Sequence, residues 1–262
     1  MIWLRRSLFI LGSAFALTLG NACGGAAQTK PAAWSAAWLE MGPTMRGQSD
    51  LMASPLAYQG AGLHVAGGYQ RRRGGHRLSV GGSYESARLT SRITAGSDHT
   101  ERVFVASLGV RSLYSAGSAW SGRVRFYAGG QVDLRVPVRS HDYVGGMKEY
   151  FADVFLPVQA AGAWEASLGP VVVAERLAVP LFAVVGRCPY TGLKYMPVFS
   201  VAPPGRLVGF DHAISVGRAA SDRVDVRLEW RTTLLRYPEP RELSMVTHRL
   251  GLAVALHGSR VR

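Results

Sequence analysis

Long stretches of the chain alternate between apolar and polar residues at every second position, and this alternation limits the possible folds more than any other feature. The clearest example covers residues 120–136. One set of its positions is apolar or small: Trp120, Gly122, Val124, Phe126, Ala128, Gly130, Val132, Leu134 and Val136. The other set is mostly polar: Ser121, Arg123, Arg125, Tyr127, Gly129, Gln131, Asp133 and Arg135. A period of two predicts a β-strand, here about 55 Å long at about 3.3 Å per residue, which exceeds most strands of globular sheets.

The same pattern returns along the chain and predicts an all-β protein. In residues 222–236 an apolar set opposes charged positions that alternate in sign, namely Arg223, Asp225, Arg227, Glu229 and Arg231. Strands are predicted at about residues 35–44, 57–72, 75–91, 101–115, 119–137, 149–166, 170–185, 206–218, 222–236 and 245–257.

The connections between these strands are alternately long and short. The short ones are Arg73-Gly74, Ala116-Gly117-Ser118, Ser167-Leu168-Gly169 and Ala219-Ala220-Ser221. Outer-membrane barrels have tight periplasmic turns, longer extracellular loops and an even number of strands. We therefore predict a closed antiparallel up-and-down transmembrane β-barrel of about 10 strands, within a range of about 8–12, as a single domain over residues 28–262.

Composition favours this class over a soluble enzyme. Charged residues make up 18% of the chain, below the roughly 25% of soluble domains. The net charge is +13, and arginine supplies the excess because Lys30, Lys148 and Lys194 are the only lysines. Two cysteines exclude a disulfide-stapled scaffold and a zinc module built from cysteines.

Residues 1–27 have the pattern of a secretory signal peptide. Arg5 and Arg6 precede an apolar run over residues 7–19, and a stretch of small residues ends at Ala27. Cleavage after Ala27 would leave a net charge of +11, because two arginines and no acidic residues are removed. Two alternatives stay open, namely a retained N-terminal anchor helix and lipid attachment to Cys23.

The alternation does not reveal which face of the sheet meets water. A soluble barrel turns its polar face outward, whereas a membrane barrel turns an apolar face outward. A secreted soluble ligand-binding barrel therefore remains an alternative. Aromatic residues near the predicted strand ends favour the membrane, as candidates for interfacial girdles: Trp38, Tyr69, Tyr84, Tyr114, Trp120, Trp164 and Tyr237.

The last strand resembles the assembly signal of bacterial outer-membrane barrels. Residues 249–256 read Arg-Leu-Gly-Leu-Ala-Val-Ala-Leu, with a polar residue, a glycine two positions later and apolar residues at alternate positions. Leu256 stands where that signal usually has an aromatic residue. Across residues 35–257 the chain also resembles uncharacterised outer-membrane barrels of Bacteroidota-like, Gram-negative bacteria, in residues 54–60, 179–182 and 188–190. The resemblance implies the barrel fold and recognition by the barrel assembly machinery, and it implies no particular activity.

No catalytic or metal-binding residues are predicted, and no cofactor. His212 would need a serine on its own face of the strand to form a hydrolase dyad, but Ser215 falls on the opposite face. Cys188 has no neighbouring cysteine, and no two histidines have the spacing of metal ligands. An outer-membrane hydrolase with a loop-borne site stays as an alternative, drawing on Asp98, His99, His141 and Asp142.

The charged alternate positions of two strands predict a lumen charge network: Arg123, Arg125, Asp133, Arg135, Arg223, Asp225, Arg227, Glu229 and Arg231. The interior of such a small barrel is narrow, and desolvated charges in it must be paired. We therefore expect Arg–carboxylate pairs across the lumen, with an arginine excess that favours anions. The alternative is a water-filled channel lined by unpaired charges.

The predicted function is non-enzymatic, either structural or as a narrow conduit or binding site for small solutes, anionic ones included. The predicted location is the bacterial outer membrane. The expected partners are outer-membrane lipid and lipopolysaccharide, for whose phosphates Arg71, Arg72, Arg73 and Arg77 are candidates. Nucleic acid is rejected as a partner despite the basic composition, because a secreted barrel meets none.

Overall fold

The computed structural model describes residues 33–51, 54–92, 98–142, 148–187, 198–221 and 223–258. The predicted signal peptide with Cys23 lies outside these residues, as does Cys188. Within the described residues, no helix is long and apolar enough to cross a membrane.

The described residues form twelve β-strands in one sheet. The strands are β1 (Trp34–Asp50), β2 (Ser54–Arg73), β3 (His76–Arg92), β4 (Asp98–Ala119), β5 (Val124–Asp142), β6 (Lys148–Ala152), β7 (Val154–Leu168), β8 (Val171–Arg187), β9 (Val198–Ala202), β10 (Val208–Ser221), β11 (Val224–Tyr237) and β12 (Leu243–His257).

The sheet closes into an antiparallel barrel because β1 pairs with β2 on one side and with β12 on the other. The order around the barrel is β1-β2-β3-β4-β5-β7-β8-β10-β11-β12. The short strands β6 and β9 pair with the ends of β5 and β8 and so extend β7 and β10. The predicted ten-stranded transmembrane-type barrel fold is confirmed.

The two ends of the barrel differ in their connections. At one end, called the terminal end, β1 begins, β12 ends, short turns join hairpins at residues 74–75, 120–123 and 169–170, and β10 ends close in sequence to the start of β11. At the other end, called the loop end, successive strands are separated by longer stretches of sequence, such as those between Asp142 and Lys148 and between Arg187 and Val198. The alternation of short and long connections therefore holds.

Two predicted turns are wrong. Residues 219–221 belong to the end of β10 and do not form a turn. The chain does not reverse at residues 116–118, which belong to β4 beyond a bulge between Ser115 and Gly117. It reverses at Trp120 and Ser121, whose φ angles of 51° and 54° are left-handed, followed by Gly122 at 83°. Three successive positive φ angles cannot continue a strand. Residues 120–122 therefore form a turn, although their alternating pattern predicted the start of a strand. The strand β5 begins at Val124.

The strands turn their apolar sets outward and their charged sets inward. On β11, Leu228 and Trp230 are 51% and 60% exposed, whereas Glu229 between them is 5% exposed. Outward apolar side chains form a belt around the barrel, including Leu39, Met41, Leu63, Val65, Val80, Leu108, Val110, Leu134, Val179, Ile214, Val216, Leu250 and Leu252. A water-soluble barrel would have the reverse arrangement.

Two of the predicted girdle aromatics face the interior. Tyr69, Tyr84 and Tyr114 are exposed, as girdle residues must be. Trp38, however, falls on the inward set of β1, and its Cζ2 would lie only 2.9 Å from a Cβ placed on Gly81. Tyr237 is buried at the loop end of the lumen. The girdle prediction is therefore wrong for Trp38 and Tyr237.

Apolar side chains fill the lumen towards the loop end. One cluster contains Phe155, Ala183, Val185, Ala202, Leu207, Leu235, Tyr237, Leu243 and Met245. A second, on the other side, contains Tyr58, Ala87, Leu89, Val103 and Val105. These clusters and the buried charged groups between them form the loop-end plug, which closes this end of the described barrel.

Candidate functional site in the lumen

The part of the lumen that the plug leaves free is a cavity of about 700 Å³. Its lining begins at the terminal end with Trp34, Arg218 and the turn residue Gly169, and it ends beneath the plug at Phe155 and Leu235. The cavity therefore opens at the terminal end and is blind at the loop end. Inward glycines and serines of β3 and β4 leave this space because they have small or no side chains.

A buried ionic cluster forms the polar centre of the plug. Arg139 on β5 donates hydrogen bonds to the carboxylates of Asp50 and Asp153. Arg187 on β8 donates to Asp50 Oδ1 at 2.8 Å and to Asp153 Oδ1 at 3.4 Å. All four side chains are at most 4% exposed. Two arginines and two carboxylates thus cancel in charge, as buried ions must.

Glu101 and His141 lie beside this cluster, between the apolar belt and the loop end of the barrel. At this level the outer surface of the barrel is polar, because Arg88 and Arg102 are exposed there. His141 Nε2 lies 3.3 Å from Glu101 Oε1, and both side chains are at most 2% exposed. Burial raises the pKa of Glu101 to about 7, whereas burial and the charge of Arg139 lower the pKa of His141 to about 4. Both groups are therefore neutral near pH 6.

A second cross-lumen group lies between the plug and the cavity. Glu85 on β3 accepts hydrogen bonds from Arg46 Nη1 at 3.2 Å and from Arg249 Nη2 at 2.6 Å. Glu85 is fully buried. Because the two arginines belong to β1 and β12, this carboxylate ties β3 to the seam where the barrel closes.

The structure places most of the predicted lumen network on the cavity wall: Arg123, Arg125, Asp133, Arg135, Asp225, Arg227, Glu229 and Arg231. Arg123 belongs to the turn before β5 and not to the strand, and it is exposed at the mouth of the cavity. Arg223 lies in the turn before β11, is exposed and does not line the cavity. These two positions differ from the prediction because the turns take up the residues that were counted as strand.

Asp211 on β10 organises one group of these charges. It accepts hydrogen bonds from Arg231 on the neighbouring strand and, across the lumen, from Arg135 Nη2 at 3.0 Å. The same Arg135 nitrogen contacts Asp133 Oδ2 at 3.1 Å. Asp211 is 3% exposed. Asp211 was not among the predicted lumen charges.

Other charges of the network also take partners outside it. Glu229 accepts from Arg176 on β8 and not from Arg227. Asp225 Oδ2 lies 2.5 Å from His257 Nε2 on β12. A further pair lies wholly outside the predicted network: Glu165 on β7 accepts from Arg77 on β3. The strand parity could have placed all of these partners in the lumen, but it could not have paired them.

Within the described residues, five arginines line the cavity without an ion pair: Arg111, Arg123, Arg125, Arg218 and Arg227. Arg111 Nε is buried and has no hydrogen-bond partner there. Twelve arginines line the cavity, against the six carboxylates of Glu40, Asp133, Glu165, Glu175, Asp225 and Glu229. The cavity is therefore strongly positive, and its surplus lies in groups that the protein itself does not neutralise.

Two of the residues that the hydrolase alternative draws on, His141 and Asp142, point to opposite faces of β5. His141 packs edge-on against Tyr58 and Phe151, with ring centroids 5.3 and 5.2 Å apart. Asp142, its neighbour in sequence, faces the other side of the strand, 3.8 Å from Lys148 Nζ. In the described part of the chain, no three His, Cys, Asp or Glu residues are grouped as metal ligands.

Solved structures of similar fold are bacterial outer-membrane barrels. The outer membrane protease OmpT from Escherichia coli has a TM-score of 0.50 and 9% identity, over 89% of this chain and 99% of OmpT. Neisserial surface protein A has a TM-score of 0.35 and 14% identity, over 84% and 97% of the two chains. The Pseudomonas putida toluene transporter TodX has a TM-score of 0.25 and 8% identity, over 88% and 90%.

No protein-family model matches the sequence, and neither does any curated protein. At such low identities the structural likeness shows the fold, that of bacterial outer-membrane β-barrels, and no activity. The resemblance to Bacteroidota-like barrels stays a prediction.

Proposed function

We propose that this chain is a non-enzymatic outer-membrane β-barrel whose lumen is a blind vestibule for small anionic solutes. The observation that carries the proposal is the shape of the lumen. Its cavity of about 700 Å³ opens at the terminal end, and the buried plug of apolar and ion-paired side chains fills the loop end.

The outward apolar belt supports the membrane location. Side chains such as Leu63, Leu108 and Leu252 are 54–71% exposed, and water would not favour such a continuous apolar surface. In outer-membrane barrels the short turns are periplasmic and the longer loops extracellular. The vestibule then opens to the periplasm, and the plug faces the cell exterior.

The charge of the cavity wall supports an anionic solute. Twelve arginines and no lysines line it, and the planar guanidinium matches carboxylate and phosphate oxygens with two parallel hydrogen bonds. A wall lined by one sign of charge also raises the local concentration of ions of opposite charge.

Planar-bilayer conductance tests the blind shape. We expect the folded protein to insert without a steady open-channel current, because the plug blocks the path. A variant in which the plug is opened by replacing Phe155 and Leu235 with alanine should conduct. A large steady current from the unaltered protein would contradict the vestibule and favour an open pore.

Cysteine labelling with a membrane-impermeant thiol reagent tests the orientation, in a chain with Cys23 and Cys188 replaced by serine. Ser107→Cys lies inside the cavity and should react only when the reagent reaches the periplasm. Ser121→Cys, in the turn between β4 and β5, should behave alike. Gly145→Cys, in the connection between β5 and β6, should react on intact cells. Labelling of Ser121→Cys alone on intact cells would reverse the orientation.

A further inference from the structure

Two of the arginines that line the lumen cavity, Arg111 and Arg227, form no ion pair with any described residue. Arg111 on β4 lines the cavity, and its buried Nε has no hydrogen-bond partner. Arg227 on β11 lines the same cavity and has no ion pair among the described residues. We propose that Arg111 and Arg227 form the binding site for a phosphate-type oxyanion, either inorganic phosphate or a phosphate monoester. This inference rests on the proposed function of the vestibule.

The sheet register explains why neither arginine finds a carboxylate. Arg111 lies opposite Ser79 on β3 and Gln131 on β5. Arg227 lies opposite Gly217 on β10 and Ala253 on β12. All four cross-strand neighbours are uncharged. Asp225 and Glu229 lie two residues from Arg227 on its own face of β11, but they pair with His257 and Arg176 instead. The two side chains therefore extend into the cavity with their donors available.

The surrounding charges leave a surplus that suits a multiply charged anion. Arg77 and Arg72 share the carboxylate of Glu165, and Arg176 is held by Glu229. The electrostatic neighbours of Arg111 are Arg176, Arg77, Glu229 and Arg231, and those of Arg227 are Arg77, Glu229, Arg176 and Glu165. The mutual repulsion of these arginines is relieved when a dianion binds among them.

The chemistry of the donors favours phosphate over chloride or a single carboxylate. A guanidinium presents two parallel N–H groups to a pair of oxygens. A phosphate group carries close to two charges near neutral pH and three terminal oxygens, so it can accept from more than one guanidinium, and in this proposal Arg111 and Arg227 supply two of them. Chloride has one charge and no directional acceptors, and a monocarboxylate satisfies one guanidinium.

The mouth of the vestibule is also positively charged. Arg71, Arg73, Arg123, Arg218 and Arg223 are exposed at the terminal end. Asp225 is the carboxylate of the cavity wall at this end, and His257 contacts it. Like charges around a narrow mouth attract anions and speed their entry, an effect that falls with ionic strength.

A buried guanidinium without a carboxylate partner lowers the stability of the fold. The effect of removing Arg111 on thermal stability therefore distinguishes a binding role from a structural role. If Arg111 served the fold, its removal would destabilise the barrel. As a ligand group, it can be replaced by the neutral Arg111→Gln with no loss of thermal stability, or with a gain. Arg135→Gln and Arg231→Gln should lower thermal stability, because each contacts buried Asp211.

Titration of the refolded full-length barrel with inorganic phosphate tests the site. Binding is followed by calorimetry and by the fluorescence of Trp38, whose ring lines the same cavity. We expect saturable binding in the unaltered protein. Arg111→Gln and Arg227→Gln should each raise the phosphate Kd at least about tenfold, equivalent to about 1.4 kcal/mol, while their Tm is unchanged or higher. Arg88→Gln, an exposed arginine outside the lumen, should bind as the unaltered protein does.

The outcomes separate this inference from the proposed function. Equal phosphate binding by the unaltered protein and by both lumen variants would overturn the site but leave an anion vestibule. Absence of phosphate binding, with Ser107→Cys still labelled from the periplasm, would overturn the site and leave the blind shape. Failure of Ser107→Cys to react from either side would overturn the vestibule itself.

Discussion

Arg139 joins β5 to Asp50 at the end of β1, across the lumen and over 89 residues of sequence. Both side chains are almost completely buried, at 1% and 3% exposure. Arg187, on β8, donates to the other oxygen of the same carboxylate. Asp50 is therefore the common acceptor for two arginines from different parts of the barrel, and the plug depends on it.

Asp50→Asn should destabilise the barrel by about 3–5 kcal/mol, because it leaves a buried arginine excess. Urea unfolding in lipid vesicles, or loss of heat-modifiable gel migration, would measure the effect. Glu242→Gln is the matched control, since its pair with Arg236 is about half exposed; that change should cost less than about 1 kcal/mol. Similar small losses in both variants would show that the plug does not contribute to stability.

Asp211 should couple Arg135 and Arg231 energetically. Each single change to glutamine removes one donor from a buried carboxylate, and each should cost about 2–4 kcal/mol. The double variant should lose less or more than the sum of the single losses, by at least about 0.5 kcal/mol, because both donors contact Asp211 Oδ2. Strictly additive losses in a double-mutant cycle would contradict a shared acceptor.

Glu101→Gln should change how stability depends on pH. The pKa of Glu101 is about 7 in the fold, against a usual 4.5, so the folded state holds a proton that the unfolded state releases. The unaltered barrel then loses stability as pH rises from about 4.5 through 7, by about 2 kcal/mol between pH 5 and pH 8 relative to the glutamine variant. Urea unfolding of both proteins at several pH values checks this.

The contribution of His141 has the opposite sign. Its pKa is lowered to about 4, so its stabilising effect is present above about pH 6.5 and is lost as pH falls through 4. The contribution of His141 cancels in the difference in stability between the unaltered protein and Glu101→Gln, because both proteins retain His141. A stability difference between the two proteins that stays constant from pH 5 to pH 8 would show that Glu101 is ionised in the folded barrel.

Leu228 should face lipid, since it is 51% exposed within the outward apolar belt. Leu228→Arg should cost about 2–4 kcal/mol near the bilayer midplane, whereas Leu228→Ala should cost less. Unfolding from lipid vesicles measures both. Equal tolerance of arginine and alanine would place this face in water and support a soluble barrel.

The alternation of apolar and polar residues predicts the strands well where they cross the apolar belt. It predicts them less well towards the loop end of the barrel. Alternation is strong where one face meets an apolar surface and the other meets charges, as around Leu228 and Glu229. Towards the loop end both faces are polar, as in Arg139-Ser140-His141-Asp142, and the period of two carries no signal. The predicted strands therefore stop before Asp50, Arg139 and Arg187, the residues that form the ionic part of the plug.

The sequence predicts which charged side chains point into the lumen. It does not predict which of them form ion pairs with one another. Parity puts Arg125, Asp133 and Glu229 on the inward face of their strands, and in the structure these residues line the cavity. It cannot tell which strand lies across from which, because barrel closure and strand tilt fix the cross-lumen distances. The pairing of Glu229 with Arg176, and the isolation of Arg111, follow from that three-dimensional arrangement alone.

The position of Asp50 has a consequence for the order in which the barrel is completed. Its strand is the first of the barrel, yet its arginine partners follow 89 and 137 residues later in the chain. Hairpin hydrogen bonds can form as soon as two successive strands meet. Asp50 gains its first arginine partner only when β5 is in place and its second only when β8 follows, so the ionic part of the plug is complete only after most strands of the barrel are present.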